Sequence, residues 1–132
     1  QNKSFALKCR KNNITFIQLL SPNIETSLAK KIISNSHGII YFISQLATTG
    51  SKLKGSPKTI LKNYNRIKRM ARGKFIILGF GITEKTIGKF KKSDAIVVGS
   101  ACCKAIADSI KKKHSPAIKL GKMVKRLKGK IL

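Results

Sequence analysis

Carboxylates are the scarcest groups in this chain: Asp and Glu together number four against 29 lysines and arginines, giving a net charge of +25 over 132 residues. Glu25, Glu84, Asp94 and Asp108 are scattered, so the sequence offers no obvious acid–base pair. There are three cysteines and two histidines, with no CxxC and no His at ligand spacing, which excludes a disulfide framework and a metal site. No apolar run approaches the roughly 18 residues of a membrane span, and no secretory signal is visible. A cytoplasmic protein without a membrane partner is the resulting expectation. The chain opens at Gln1, and Ser4 to Lys11 already reads as the end of a helix, so a fragment is expected.

Positive charge is abundant, yet it argues only weakly for nucleic acid. Lysine supplies 24 of the cations and arginine five, whereas phosphate and base recognition favours the planar arginine fork. The lysines are spread along the whole chain. Ile, Asn and Lys are all enriched and all have AT-rich codons, so compositional drift accounts for the charge. Nucleic-acid binding is therefore the lesser reading.

Apolar runs alternate with amphipathic segments. Ile14 to Leu20 is a strand candidate closed by Ser21-Pro22-Asn23, after which Ile24, Leu28, Ile32 and Ile33 recur at helical spacing. Gly38 to Ser44 is a second run, followed by a polar stretch from Gln45 to Pro57. Ile60, Leu61, Tyr64, Ile67 and Ala71 share a helix face ending near Gly73. Phe75 to Gly79 is a third strand, and Thr83 is placed to cap a short helix through Phe90. Ala95 to Val98 precedes helices at about 101–112 and 117–130, the last with Leu120, Val124, Leu127 and Ile131 on one face. The order β-α-β-α-β-α-β-α-α, with strands lacking polar alternation, describes a parallel sheet covered by helices. Four βα units are half of an eight-stranded barrel or one small open sheet. A detached half-barrel leaves two open edges, which invite pairing or self-association.

In parallel α/β proteins function gathers at the carboxyl ends of the strands. Glycine recurs there, in Ser44 to Gly50, Gly79-Phe80-Gly81 and Gly99-Ser100. Glycine lets backbone amides approach an anion, and a following helix N-terminus adds a favourable dipole. Two neighbouring glycine turns make a phosphate site a serious candidate.

"ITFIQLLSPN", "GIIYFISQLATTG", "FIILGFGIT" and "AIVVGSACCKAI" together resemble the C-terminal half of the tryptophan synthase alpha chain, from about Phe5 onward. The resemblance implies the C-terminal half of a (β/α)8 TIM barrel, four parallel strands alternating with helices, with residues 1–132 forming one half-barrel. It implies a lyase of tryptophan biosynthesis that cleaves indole-3-glycerol phosphate to indole and glyceraldehyde 3-phosphate without a cofactor. It also implies an α2β2 assembly whose beta chain carries pyridoxal phosphate. By position, backbone groups of Gly50, Gly81 and Gly99, with Ser100, would hold the substrate phosphate. Phe80 and Val97 would line the indole pocket, Tyr41 would face the reacting atoms, and Thr49 would lie on a closing loop. The family's glutamate and aspartate catalysts belong to the other half and have no counterpart here, so catalytic residues are expected to be absent and the fragment inactive alone. The loop departs from the family pattern: Ala47 replaces a glycine, which restricts its backbone, and Thr48 replaces a valine.

Plainer readings stand beside these. Tyr41 within a strand is, on its own, a core residue; His37 and His114 are loop residues; Lys111-Lys112-Lys113 is a solvated helix end. Cys102 and Cys103 point about 100° apart on a helix and read as packing. The alternatives to the lyase half are a small basic nucleic-acid-binding module and a decayed, inactive gene product.

Overall fold

A computed structural model describes residues 3–44 and 56–132. The elements follow in chain order: α1 (Lys3–Lys11), β1 (Gln18–Leu20), α2 (Thr26–Ser34), β2 (Ile39–Ile43), α3 (Pro57–Met70), β3 (Phe75–Gly79), a 3-10 turn (Ile87–Phe90), β4 (Ala95–Ile96), α4 (Ser100–Lys111) and α5 (Pro116–Gly129). The four strands form one parallel sheet in the order β1-β2-β3-β4. Its register pairs Leu19 with Tyr41, Tyr41 with Ile77, and Ile77 with Ala95. Parallel neighbours require a crossover, which each intervening helical segment supplies.

Alternation along the strands divides the sheet into two unlike faces. Leu20, Ile40, Phe42, Ile76 and Leu78 are fully buried against Ile32, Ile33, Ile60, Tyr64, Ile67, Phe90 and Leu127 from the helical layer. The opposite face is open: Leu19 is 58% exposed, Phe75 47% and Val97 39%, and Tyr41, Ile43 and Ile77 are half-buried. The apolar runs suggested strands covered on both sides; helices cover one side only among the described residues.

α3 shows how the sequence sets the helical layer. Ser56 caps it by accepting from the Thr59 amide at 3.2 Å, Pro57 occupies the first turn, and Ile60, Tyr64 and Ile67 recur on the buried face. Arg66 on its flank donates to the carbonyls of Pro22 at 3.2 Å and Ile24 at 3.1 Å, tying α3 to the β1–α2 connection. At the amino end of the sheet Asp94 joins three elements. Its carboxylate accepts from the Ile76 amide at 2.9 Å and from the Lys68 ammonium, while its own amide donates to the Tyr64 hydroxyl at 2.9 Å.

Several boundaries differ from the sequence expectation. β1 pairs only over Gln18–Leu20, since Ile14 and Ile17 are exposed. Thr83 does not cap an α-helix: its carbonyl accepts from Thr86 and Ile87 in a turn that leads to the 3-10 segment. In α2 Ala29, not Leu28, enters the core, and in α5 Met123 takes the place expected for Val124. A small side chain fits where the helix lies close to the sheet, and a flexible methionine fills an irregular gap. Cys102 packs against the core as expected, with its thiol on the Val98 carbonyl at 3.3 Å, but Cys103 is exposed.

Candidate functional site

The carboxyl ends of β2, β3 and β4 bring together Ser44, Gly79-Phe80-Gly81 and Val97-Val98-Gly99-Ser100. Tyr41 stands in the middle of the open face, between Leu19 and Ile77. Its ring runs across β3 directly over Gly79: a Cβ there would lie 1.8 Å from the Tyr41 hydroxyl oxygen and 2.4 Å from Cζ. Only glycine permits this approach. Burial pushes the Tyr41 phenol above its ordinary pKa, so it stays protonated at neutral pH.

After Gly79 the chain turns back through two residues with positive φ, Phe80 at +79° and Gly81 at +67°. That conformation is ordinary for glycine and uncommon for phenylalanine. Ser44, 3% exposed, spans the gap between strand ends: its amide donates to the Gly79 carbonyl at 2.9 Å and its hydroxyl donates to the Phe80 carbonyl. The sequence reading missed Ser44, because a bond across 36 residues leaves no local signal.

β4 continues past its paired residues through the Val97 amide, which donates to the Leu78 carbonyl at 2.8 Å. Gly99 then opens α4, its carbonyl accepting from Cys102 at 2.8 Å and Cys103 at 3.1 Å. Among the described residues no side chain caps this helix, and its first turn holds no acid. Among the described residues no acceptor takes the Ser100 and Ala101 amide protons, and a Cβ on Gly99 would project into open space. Gly99, Ser100 and these amides therefore form an exposed donor cluster with a helix dipole behind it.

Phe80 and Gly81 thus follow the carboxyl end of β3, and Gly99 and Ser100 that of β4, while Tyr41 and Val97 stand on the open face. Thr49 and Gly50, with Ala47 and Thr48, lie outside the described residues. None of the four carboxylates stands on a strand. Asp94 sits at the opposite end of the sheet with Lys68; Glu84 faces Arg126 at 2.8 Å; Glu25 accepts from Ser27; Asp108 lies exposed in α4. No group of three or more His, Cys, Asp or Glu side chains converges among the described residues. Among them, no helix is long and apolar enough to cross a membrane.

Four consecutive parallel strands, helices on one face and glycine turns at adjacent strand ends define half of a (β/α)8 barrel. The chain belongs to the tryptophan synthase alpha chain family, whose profile matches residues 1–131. It is 52% identical to the alpha chain of Pelagibacter ubique over 99% of its own length and 49% of that protein's. It is 33% identical to the alpha chain of Cyanidium caldarium over 92% of its own length and 45% of that protein's. The chain therefore spans about half the length of the curated relatives it matches. The alpha subunit of Legionella pneumophila superposes with a TM-score of 0.82 at 19% identity, covering 98% of this chain and 47% of that one, which establishes the shared fold. A structure of the tryptophan synthase α2β2 complex from Pyrococcus furiosus gives 0.77 at 28% identity, covering 96% and 50%.

Proposed function

We propose that this chain supplies the substrate-binding half of an indole-3-glycerol phosphate lyase. The observation that carries the reading is the pairing, on adjacent strands, of the Gly81 turn with the uncapped start of α4, beside an open apolar face bearing Tyr41. Phosphate suits the amide cluster of Gly81, Gly99 and Ser100, and the family resemblance adds Gly50 to that set. Phe80 and Val97 offer apolar walls for a flat indole ring. Retro-aldol cleavage requires a proton delivered to the indole ring and another removed from a hydroxyl. With no carboxylate on the open face, this chain binds and orients but does not catalyse on its own; Tyr41 and Thr49 serve in supporting roles.

On this reading the half works in the cytoplasm without a cofactor, inside an α2β2 assembly with a beta chain that carries pyridoxal phosphate. The similarity to the Pyrococcus complex supports that partner. Hydrogen exchange in the presence of glycerol 3-phosphate is the test. Slowed exchange at residues 79–81 and 99–101 is expected, and unchanged exchange at both turns refutes the site. Turnover of indole-3-glycerol phosphate by the purified 132-residue chain refutes its inactivity.

A second reading, sequence-independent nucleic-acid binding, has one observation behind it. A groove of about 560 Å³ beside α3 is lined by Lys58, Lys62 and Lys89 without a carboxylate. Affinity for a random DNA duplex falling steeply with salt would favour it. Binding of glycerol 3-phosphate at the glycine turns would favour the lyase half.

A further inference from the structure

We infer that Ser44 is a positioning residue that fixes the peptide plane between Phe80 and Gly81, and so aims the Gly81 amide at the anion site. A peptide bond is planar and trans, and no cis bond occurs here, so the Phe80 carbonyl and the Gly81 N–H point in opposite directions. The buried Ser44 hydroxyl donates to the Phe80 carbonyl, which draws that oxygen toward β2. The Gly81 N–H is thereby turned away from Ser44, and among the described residues no acceptor takes it. The arrangement needs holding. A phenylalanine with positive φ is strained and persists only where its surroundings over-determine it.

Among the described residues the other positive-φ positions without a glycine's freedom, Asn13 and Lys113, follow the ends of α1 and α4, where a left-handed residue is an ordinary helix stop. Phe80 follows a strand and has no such excuse. The restraint comes instead from Ser44, which grips both sides of the turn: its amide holds the Gly79 carbonyl at 2.9 Å and its hydroxyl holds the next carbonyl along. Released from the hydroxyl, the Phe80–Gly81 plane is free to rotate, placing a carbonyl where the anion site requires a donor.

The inference rests on the phosphate reading of Gly81, and the test separates the two. In the isotope-labelled 132-residue chain, the Phe80 Cα–Hα coupling reports the sign of φ, and the Gly81 and Gly99 amide shifts report glycerol 3-phosphate. Ser44→Ala is expected to remove the positive-φ signature at Phe80. It should also abolish the Gly81 response while keeping that of Gly99, and weaken binding about two- to twelvefold, the range of one hydrogen bond. Ser44→Thr, which keeps a hydroxyl, is expected to restore all three. If Ser44→Ala does not fold, Ser44→Cys, similar in size but a weak donor, makes the same comparison. An unchanged Phe80 coupling and Gly81 response in a folded variant overturns the inference, even if its melting temperature drops. No response at either glycine in the native chain refutes the phosphate reading, and with it the anion-directed part of the inference. The Phe80 coupling still decides whether Ser44 holds the turn.

Discussion

Replacing Gly79 with alanine tests how tightly Tyr41 is seated. The added Cβ would lie 1.8 Å from the phenol oxygen, 2.4 Å from Cζ and 3.0 Å from Cε1, separations that packed atoms do not tolerate. β3 cannot retreat, because its register with β2 runs over five residue pairs and the Gly79 carbonyl is held by the Ser44 amide at 2.9 Å. The ring must swing off the strand instead, and the open face gives it somewhere to go. That freedom puts the cost at the lower end of the overpacking range, about 1–2 kcal/mol. For a chain of this length such a loss lowers the melting temperature by roughly 3–10 °C. Tyr41→Ala removes the obstacle, so Gly79→Ala in that background is expected to be nearly neutral, leaving a coupling of about 1–2 kcal/mol in a double-mutant cycle. Thermal melts followed by circular dichroism supply the four stabilities. Strict additivity, or an unaltered melt for Gly79→Ala alone, would refute the contact.

Asp94→Ala leaves the Ile76 amide buried without an acceptor and is expected to destabilise by about 1–3 kcal/mol in a urea titration. Lys68→Met should cost less, since that ammonium is partly solvated. The Arg126 guanidinium holds the Glu84 carboxyl below its ordinary pKa. Its contribution is therefore present above the unfolded-state value and lost as pH falls through the folded one. The small stability difference between the native chain and Glu84→Gln should accordingly vanish in acid, and a difference growing toward low pH would contradict the pairing. Ser56→Ala removes the N-cap of α3 and should cost about 1 kcal/mol, read as a shift of the urea midpoint with unchanged slope.

The alternation of strands and helices was legible because apolar runs and 3.6-residue periodicity coincide here with real boundaries. The α3 face from Ile60 to Ala71 is the clearest case, with every residue read from it buried or packed on the core. The glycine turns after β3 and β4 were equally visible. The openness of one sheet face was not: Leu19, Tyr41 and Ile77 look alike in sequence whether or not something covers them. Nor could periodicity choose Ala29 over Leu28, because the closeness of α2 to the sheet is a tertiary fact. Phe80 carries no mark of its left-handed backbone, and the serine bonded to its carbonyl follows another strand. What escaped the sequence was long-range: which distant atom completes a turn, and which face has a neighbour.

The order of the sheet also bears on how the chain folds. Strands adjacent in space are adjacent in sequence, and the pairs Gln18–Ile40, Ile39–Phe75 and Ile77–Ala95 close over 22, 36 and 18 residues. Closure entropy grows only logarithmically, so the longest of these costs about 0.6 kcal/mol more than the shortest. Among the described residues no pairing within the sheet waits for a remote segment, which keeps contact order low for a parallel sheet and favours rapid growth one strand at a time. Each new strand adds to the edge left by its predecessor, so the sheet can lengthen in the direction of the chain without rearranging what has already formed.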